Sequence, residues 1–267
     1  MDSETRCEAM DDGNRFLEDG ALTIVAMGWL EESRDGIDIF RPDDTPRGVV
    51  AAFSGRGHAP DGDPAPTAFL ARRFAHALGL DGTPVHWATQ VHGAASAIPG
   101  RAERGSAPNA GECDALATAE PGVAVVVQTA DCVPVLLAGP AAVGAAHAGW
   151  RGSAKGVVGS AVKALERLGA PAPTLSAWIG PAIGACCYEV GGEVAAQFAG
   201  DFVRRGCGGA FLLDLKAANA AQLEAAGVPR EAIRIHPACT RCGGERFASW
   251  RRDGVRAGRM IALISRS

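Results

Sequence analysis

The chain has 267 residues, 47% of them apolar, with a formal net charge of −4 and a pI near 5.9. That is enough apolar side chain for one large core, and the acidic balance excludes the basic patch that nucleic-acid binding requires. The polar N-terminus lacks an apolar signal core and no apolar stretch is long enough to cross a bilayer, so the expectation is a cytoplasmic protein with no nucleic-acid or membrane partner.

Residues 1–20 are polar and expected to be poorly ordered, and residues 21–267 read as a single domain, because no linker separates the periodic segments. Residues 22–30 and 37–40 read as strands of a hairpin, and 48–53 as a third strand that ends in Ser54-Gly55-Arg56-Gly57-His58. After a Pro/Asp/Gly loop, Thr67 is expected to cap a helix to Leu80, with Phe69, Phe74 and Leu78 facing inward. Residues 85–91 form a strand that delivers Gln90 and His92. Residues 99–112 read as a flexible polar loop with the character of a lid.

The next block is the most informative. Residues 123–127, 133–137 and 143–147 are short, apolar and rich in β-branched or small side chains, the pattern of buried strands. Thr129, Asp131, Cys132 and His147 stand at their ends, where apolar frameworks carry chemistry. A turn, Gly149-Trp150-Arg151-Gly152, then leads to Ser153, read as the N-cap of a helix whose apolar face is Val157, Val158, Ala161, Val162, Leu165 and Leu168. Unsatisfied N–H groups at such a start, with Arg151 beside them, suit an anion. The alternative is an ordinary capped helix with a surface arginine.

Further along come a strand at 174–179, a patterned loop at 180–191, a helix at 193–198, a strand at 211–215 and a helix at 216–226 ended by Gly227. A strand at 233–236 follows, then a closing hairpin of 247–251 and 259–264 around Asp253-Gly254. Strands outnumber helices in mixed order, which favours an α+β fold.

His92, Cys132 and His147 each follow a strand and have small neighbours. Imidazole and thiolate together suit zinc and could hold copper, and three protein ligands leave a fourth position for water or substrate. The same residues also allow a Cys132–His147 nucleophile dyad. Eight cysteines without a secretory signal read as thiols or metal ligands rather than disulfides. Cys239-Thr240-Arg241-Cys242 is half a structural zinc site, which Cys186, Cys187 or Cys207 could complete only if the fold brings them close. It is read as a plain thiol pair. The zinc-deaminase signature is not met: residues 147–149 are His-Ala-Gly, and Ala238 separates Pro237 from Cys239.

Several motifs fall in one order: Gln90-Val91-His92-Gly93, Asp114-Ala115-Leu116, Thr129-Ala130-Asp131-Cys132-Val133-Pro134, residues 146–152, Ile179-Gly180-Pro181, Cys187-Tyr188-Glu189-Val190 and residues 247–259. Jointly they resemble the YfiH family, also called the multicopper polyphenol oxidase family, over about residues 85–264. Many of its members are described as purine nucleoside phosphorylases and some as peptidoglycan editing factors. The resemblance implies a four-layer α/β/β/α sandwich and a zinc on the residues that match His92, Cys132 and His147. It implies phosphorolysis of adenosine, inosine, guanosine and methylthioadenosine, with some adenosine deamination. Copper-dependent polyphenol oxidation and peptidoglycan hydrolysis at the same site are the alternatives. A multicopper route normally uses many histidines; this chain has six, and His58, His76 and His86 have no ligand-like context.

The roles that follow are expectations. The catalytic group is His92, Cys132, His147 and Asp131, and the substrate-binding group is Arg56, Gln90, Asp114, Arg151 and Tyr188. Arg151 and Arg56 would hold phosphate, Asp114, Asp131 or Glu189 would protonate the departing purine, and Tyr188 would stack on it. The partners are a nucleoside and phosphate, and the chain is expected to be a monomer or weak homodimer. The N-terminal third departs from the family pattern, with Ser54-Gly55-Arg56-Gly57 and a shortened loop; Arg56 stands for the family arginine.

Overall fold

The computed structural model describes residues 23–26, 28–57 and 67–267. The expectations for residues 1–20, the 59–66 loop and His58 fall outside them. In chain order the elements are β1 (Thr23–Ala26), β2 (Trp29–Arg34), β3 (Ile37–Pro42), β4 (Val49–Ser54), α1 (Thr67–Ala77), β5 (Val85–Thr89), β6 (Ser96–Ala97), β7 (Asn109–Glu112) and β8 (Ala115–Thr118). Next come β9 (Ala124–Thr129), β10 (Val133–Ala138), β11 (Val143–Ala148), α2 (Trp150–Ala154), α3 (Val157–Arg167), β12 (Ser176–Ile179), β13 (Glu189–Val190) and α4 (Gly192–Ala195). The last are β14 (Val203–Arg205), β15 (Phe211–Leu213), α5 (Leu215–Ala225), β16 (Ile233–Ile235), α6 (Trp250–Asp253) and β17 (Met260–Arg266).

An eight-stranded sheet runs β1-β2-β3-β4-β17-β9-β5-β7 and a six-stranded sheet runs β16-β12-β10-β11-β8-β6; β13, β15 and β14 make a small third sheet. Alternation along each strand decides what packs where. In β9, Val125 and Val127 face the second sheet, where they meet Leu136 of β10, Val143 of β11 and Trp178 of β12. Ala124 and Val126 face the other way, onto Leu70 and Phe74 of α1. In β10, Val135 and Leu137 turn outward to Val158, Val162 and Leu165 of α3 and Leu223 of α5. The layers are therefore α1, large sheet, small sheet, and α3 with α5, the expected four-layer sandwich. Strands with apolar side chains on both faces must lie between covered faces, which is why β9, β10, β11 and β17 are central. Each such valine or leucine contributes about 1.5–3 kcal/mol by leaving water.

Several expected boundaries are corrected. The 247–264 segment is not a hairpin: Ser249 caps α6 by accepting from Arg252 N, and β17 inserts between β4 and β9, with Ala262 opposite both Phe53 and Val127. Ser153 is not a helix cap. It lies inside the five-residue α2, its hydroxyl bonded to Asn219 of α5, and the long helix starts only after Gly156, whose φ of 78° stops the first turn. Residues 99–112 are fastened rather than lid-like: Val85 N donates to Ser106 O, the Trp87 indole donates to Ala107 O, and β7 pairs with β5. Phe69 is exposed, and the Thr67 hydroxyl bonds Gln128. The 22–30 strand is two strands, β1 and β2, parted at Gly28 (φ 90°). No helix among the described residues is long and apolar enough to cross a membrane.

Candidate metal and active site

Three strand ends converge on one point. His92 lies just past β5, Cys132 just before β10, and His147 near the end of β11, paired with Pro134 of β10. Their ligand atoms lie within 4.8 Å of one another, and Cys132 Sγ is 3.9 Å from His92 Nε2. A tetrahedral zinc with its usual bond lengths would set sulfur and nitrogen about 3.6 Å apart, so the donor set fits one ion after a small adjustment. His147 is buried while His92 is exposed and Cys132 half-buried, which leaves one side of the group open to solvent.

Asp114 builds this arrangement. Its carboxylate has no solvent exposure and accepts from the backbone N–H of Val91 (3.2 Å), His92 (3.0 Å) and Gly93 (2.6 Å), while Oδ1 lies 2.8 Å from His147 Nδ1. One side chain thus holds the loop of one ligand and orients the ring of another, leaving Nε2 of His147 for the ion. It also stabilises His92 in the left-handed region (φ 57°), an uncommon conformation for a residue with a Cβ. Burial works against the Asp114 charge, but the bond and charge of His147 and the amides of Gly93 and Val91 outweigh it and hold the carboxyl below its ordinary range.

The charges of the ligands follow from the same geometry. Burial alone would push the Cys132 thiol up, yet His147 and His92 bring it down to about 6. Burial alone would push His147 down, yet Cys132 and Asp114 bring it up to about 9. A sulfur that is thiolate at neutral pH is what a metal requires, whereas His147 must give up its Nε2 proton when an ion binds. Space is matched too: a Cβ on Gly149 would lie 2.9 Å from both Cys132 Sγ and His92 Cδ2, so only glycine fits behind the ligands.

Tyr188 is half-buried beside the group; burial, then the charge of Cys132, raise its phenol well above the ordinary range, and the Arg251 guanidinium lies 5.5 Å from its ring centre. Arg151 is exposed and rests on the Trp150 ring at 4.3 Å. Asp131, at φ 84°, spends Oδ1 on the Thr240 hydroxyl (2.6 Å) and Oδ2 on Arg251 N (2.7 Å), so its carboxylate ties loops together. Gln90 makes a reciprocal pair with the Gln128 backbone. Arg56 is gathered in by Glu245, Asp253 and the carbonyl of Arg256, in a cluster that includes none of the three ligands. The helix start expected to cradle an anion is only the short α2. His76 pairs with Asp81, and His86 bonds the carbonyl of Gly100.

One residue was missed, and one reading is corrected. Arg251 joins Tyr188, Asp131 and the Glu189 carbonyl; its signal in the sequence was only its membership of the 247–259 motif. And Cys239 and Cys242 are not a lone pair, because the fold brings Cys186 and Cys187 to them.

Residues 56–267 match the family described as multi-copper polyphenol oxidoreductase laccase. A purine nucleoside phosphorylase of Deinococcus radiodurans is 41% identical over 209 residues, covering 76% of this chain and 78% of that protein. An adenosine deaminase, RL5, from an unknown prokaryotic organism is 40% identical over 162 residues, 57% of this chain and 62% of that one. The crystal structure of YlmD from Geobacillus stearothermophilus superposes with a TM-score of 0.76 at 32% identity, over 92% of this chain and 98% of that one. With four layers, motif order and family match all in agreement, this chain belongs to the multi-copper polyphenol oxidoreductase laccase family, the family of YfiH and YlmD.

Proposed function

We propose that the chain is a zinc-dependent purine nucleoside phosphorylase acting at His92, Cys132 and His147. The observation that carries this reading is the open three-donor group backed by a buried carboxylate, which suits one catalytic ion. The names of relatives about 40% identical over most of the chain support the reaction. Among the described residues no other group of three or more metal-binding side chains contains histidine, which weighs against several copper ions as the alternative.

When bound, zinc supplies a positive charge that polarises a coordinated oxygen or lowers the pKa of coordinated water. The chain's own residues do the rest. Asp114 fixes the His147 ring and the His92 loop, a positioning role, since it cannot reach a substrate from full burial. Arg151, exposed beside Gly149, presents two parallel N–H groups to the attacking phosphate. Tyr188 keeps its proton at neutral pH, and its half-burial beside the three side chains supports a role in donating a hydrogen bond to the departing purine. Arg251 holds the Tyr188 ring and the Asp131 loop in place. The substrate class is adenosine, inosine, guanosine and methylthioadenosine; adenosine deamination is a second activity suggested by the relative named for it.

Purified, metal-analysed protein should convert adenosine to adenine only when inorganic phosphate is present, releasing ribose 1-phosphate. Adenine formed at full rate without phosphate, with free ribose, would reject phosphorolysis. Inosine in either assay reports deamination. The Arg151→Lys variant should need about ten- to a hundredfold more phosphate, the equivalent of roughly 1.5–3 kcal/mol for a lost charge-assisted contact, because lysine cannot copy the guanidinium fork. Its zinc content and melting temperature should match the parent, since Arg151 is exposed and makes only a ring contact. A fall in melting temperature with unchanged phosphate dependence would assign Arg151 to structure instead.

A further inference from the structure

We propose that Cys186, Cys187, Cys239 and Cys242 form a second, structural zinc site, distinct from the His92–Cys132–His147 group, that clamps the loop carrying Tyr188 to the loop carrying Thr240. All four sulfurs lie within 4.8 Å of one another. A zinc held by four thiolates at about 2.3 Å sets its sulfurs about 3.8 Å apart. Cys186 Sγ is 3.6 Å from Cys187 Sγ and 3.7 Å from Cys242 Sγ, close to that edge length and far beyond the bonded distance of a disulfide.

The surroundings are those of a metal-bound thiolate. Cys239 Sγ accepts from Gly184 N at 3.2 Å, and the amides of Arg241 and Cys242 turn to the same sulfur, as the C-x-x-C spacing allows. A Cβ on Gly184 would lie 3.1 Å from Cys239 Cβ and 3.2 Å from Cys186 Sγ, so the loop closes tightly over the cluster. Four thiolates and one Zn²⁺ leave a net double negative charge. Lys216, a buried ammonium, faces Cys239, Cys186 and Cys242 and donates to the carbonyls of His236, Pro237 and Ala238, the segment that leads into Cys239. Packing alone does not account for the cluster: Cys187 and Cys239 are buried among Ile183 and Tyr188, but Cys186 and Cys242 are exposed and would gain nothing from meeting there. Binding releases the remaining thiol protons to solvent, with no change of oxidation state.

The location gives the ion a purpose. Cys186 and Cys242 are 56 residues apart in sequence, and their segments join through a bridge between Ala182 and Cys239 and a bond from Thr240 N to Ala182 O. Thr240, between the two cysteines, donates to Asp131, the neighbour of Cys132, and Ile183 N donates to the Asp131 carbonyl. Tyr188 directly follows Cys187. One ion would therefore set the wall of the active site from outside it.

The test is metal analysis of the full chain purified under reducing conditions. Two zinc ions per chain are expected. Cys132→Ala should lose one and keep the other, whose X-ray absorption spectrum should show a shell of sulfur alone at about 2.3 Å. Cobalt in that variant should give thiolate-to-metal charge-transfer bands. Cys239→Ser with Cys242→Ser should lose the complementary ion and keep the His92–Cys132–His147 one. No zinc in Cys132→Ala, iron in place of zinc, or a wild-type mass reduced by the two hydrogens of a disulfide would each overturn the proposal. The Cys132→Ala arm leaves this cluster intact, so a folding failure of the double serine variant would not mask the answer. Nor does it depend on which reaction the other site performs.

Discussion

Asp114→Asn is expected to lower the melting temperature by about 10 °C and to strip the metal from the active site. The carboxylate has no solvent exposure and serves His147 and the amides of residues 91–93 at once. An asparagine keeps one oxygen but turns an NH2 toward groups that are themselves donors. Breaking one partner of a buried charged pair costs roughly 3–5 kcal/mol. For a chain of this size each of those shifts the midpoint by about 2–4 °C. The effect should depend on pH in a defined direction. Because the folded carboxyl titrates below its ordinary value, its contribution is complete above about pH 4 and is lost as pH falls through the lowered folded value. Parent and variant should therefore differ most near neutrality and converge in strong acid. Calorimetry with zinc analysis checks it; an unchanged midpoint with full zinc would remove Asp114 from the framework of the site.

Gly149→Ala is expected to do the opposite: leave the melting temperature of the metal-free protein almost unchanged and cut zinc binding and turnover by about 10²-fold or more. At φ −67° and ψ 163° the backbone accepts alanine without strain, so the whole effect is steric. The new methyl would stand 2.9 Å from Cys132 Sγ and His92 Cδ2. His92 is exposed and can swing aside, so the fold relaxes and the ligand geometry does not survive. A displacement of about an ångström in a reacting constellation is enough for a loss of that order. Full zinc occupancy in the variant would show that the ligands sit elsewhere than inferred.

How much of this could be read beforehand depended on the reach of each interaction. Strands β4, β9, β10 and β11 were legible because their own side chains are apolar on both faces. β17 was recognised as a strand but given the wrong partner, since nothing local in residues 260–266 names β4 and β9 as neighbours. Ser153 looked like a cap by residue type, yet the break is set by the left-handed Gly156 three residues later. The candidate ligands His92, Cys132 and His147 stood out because each closes or opens an apolar run. Asp114 was noticed as a motif member and expected at the substrate, whereas its burial depends on partners 21 to 33 residues away. The C-x-x-C at 239–242 was visible, but its completion by Cys186 and Cys187 exists only once two distant loops meet.

The position of β17 bears on how the chain is made. The large sheet has β4 on one side of that strand and β9 on the other, and without it β1 to β4 share no ladder with β9, β5 and β7. A growing polypeptide therefore carries two half-sheets with open, apolar edges until residues 260–266 leave the ribosome. Each half offers an unpaired strand to any neighbour on the same message, the situation in which β-rich chains aggregate or need a chaperone. Closure then joins segments that are more than a hundred residues apart, which makes it slow relative to the local hairpin of β2 and β3. Nascent chains arrested before residue 260 should thus be protease-sensitive in both halves, and lengthening them through β17 should protect β4 and β9 together in one step.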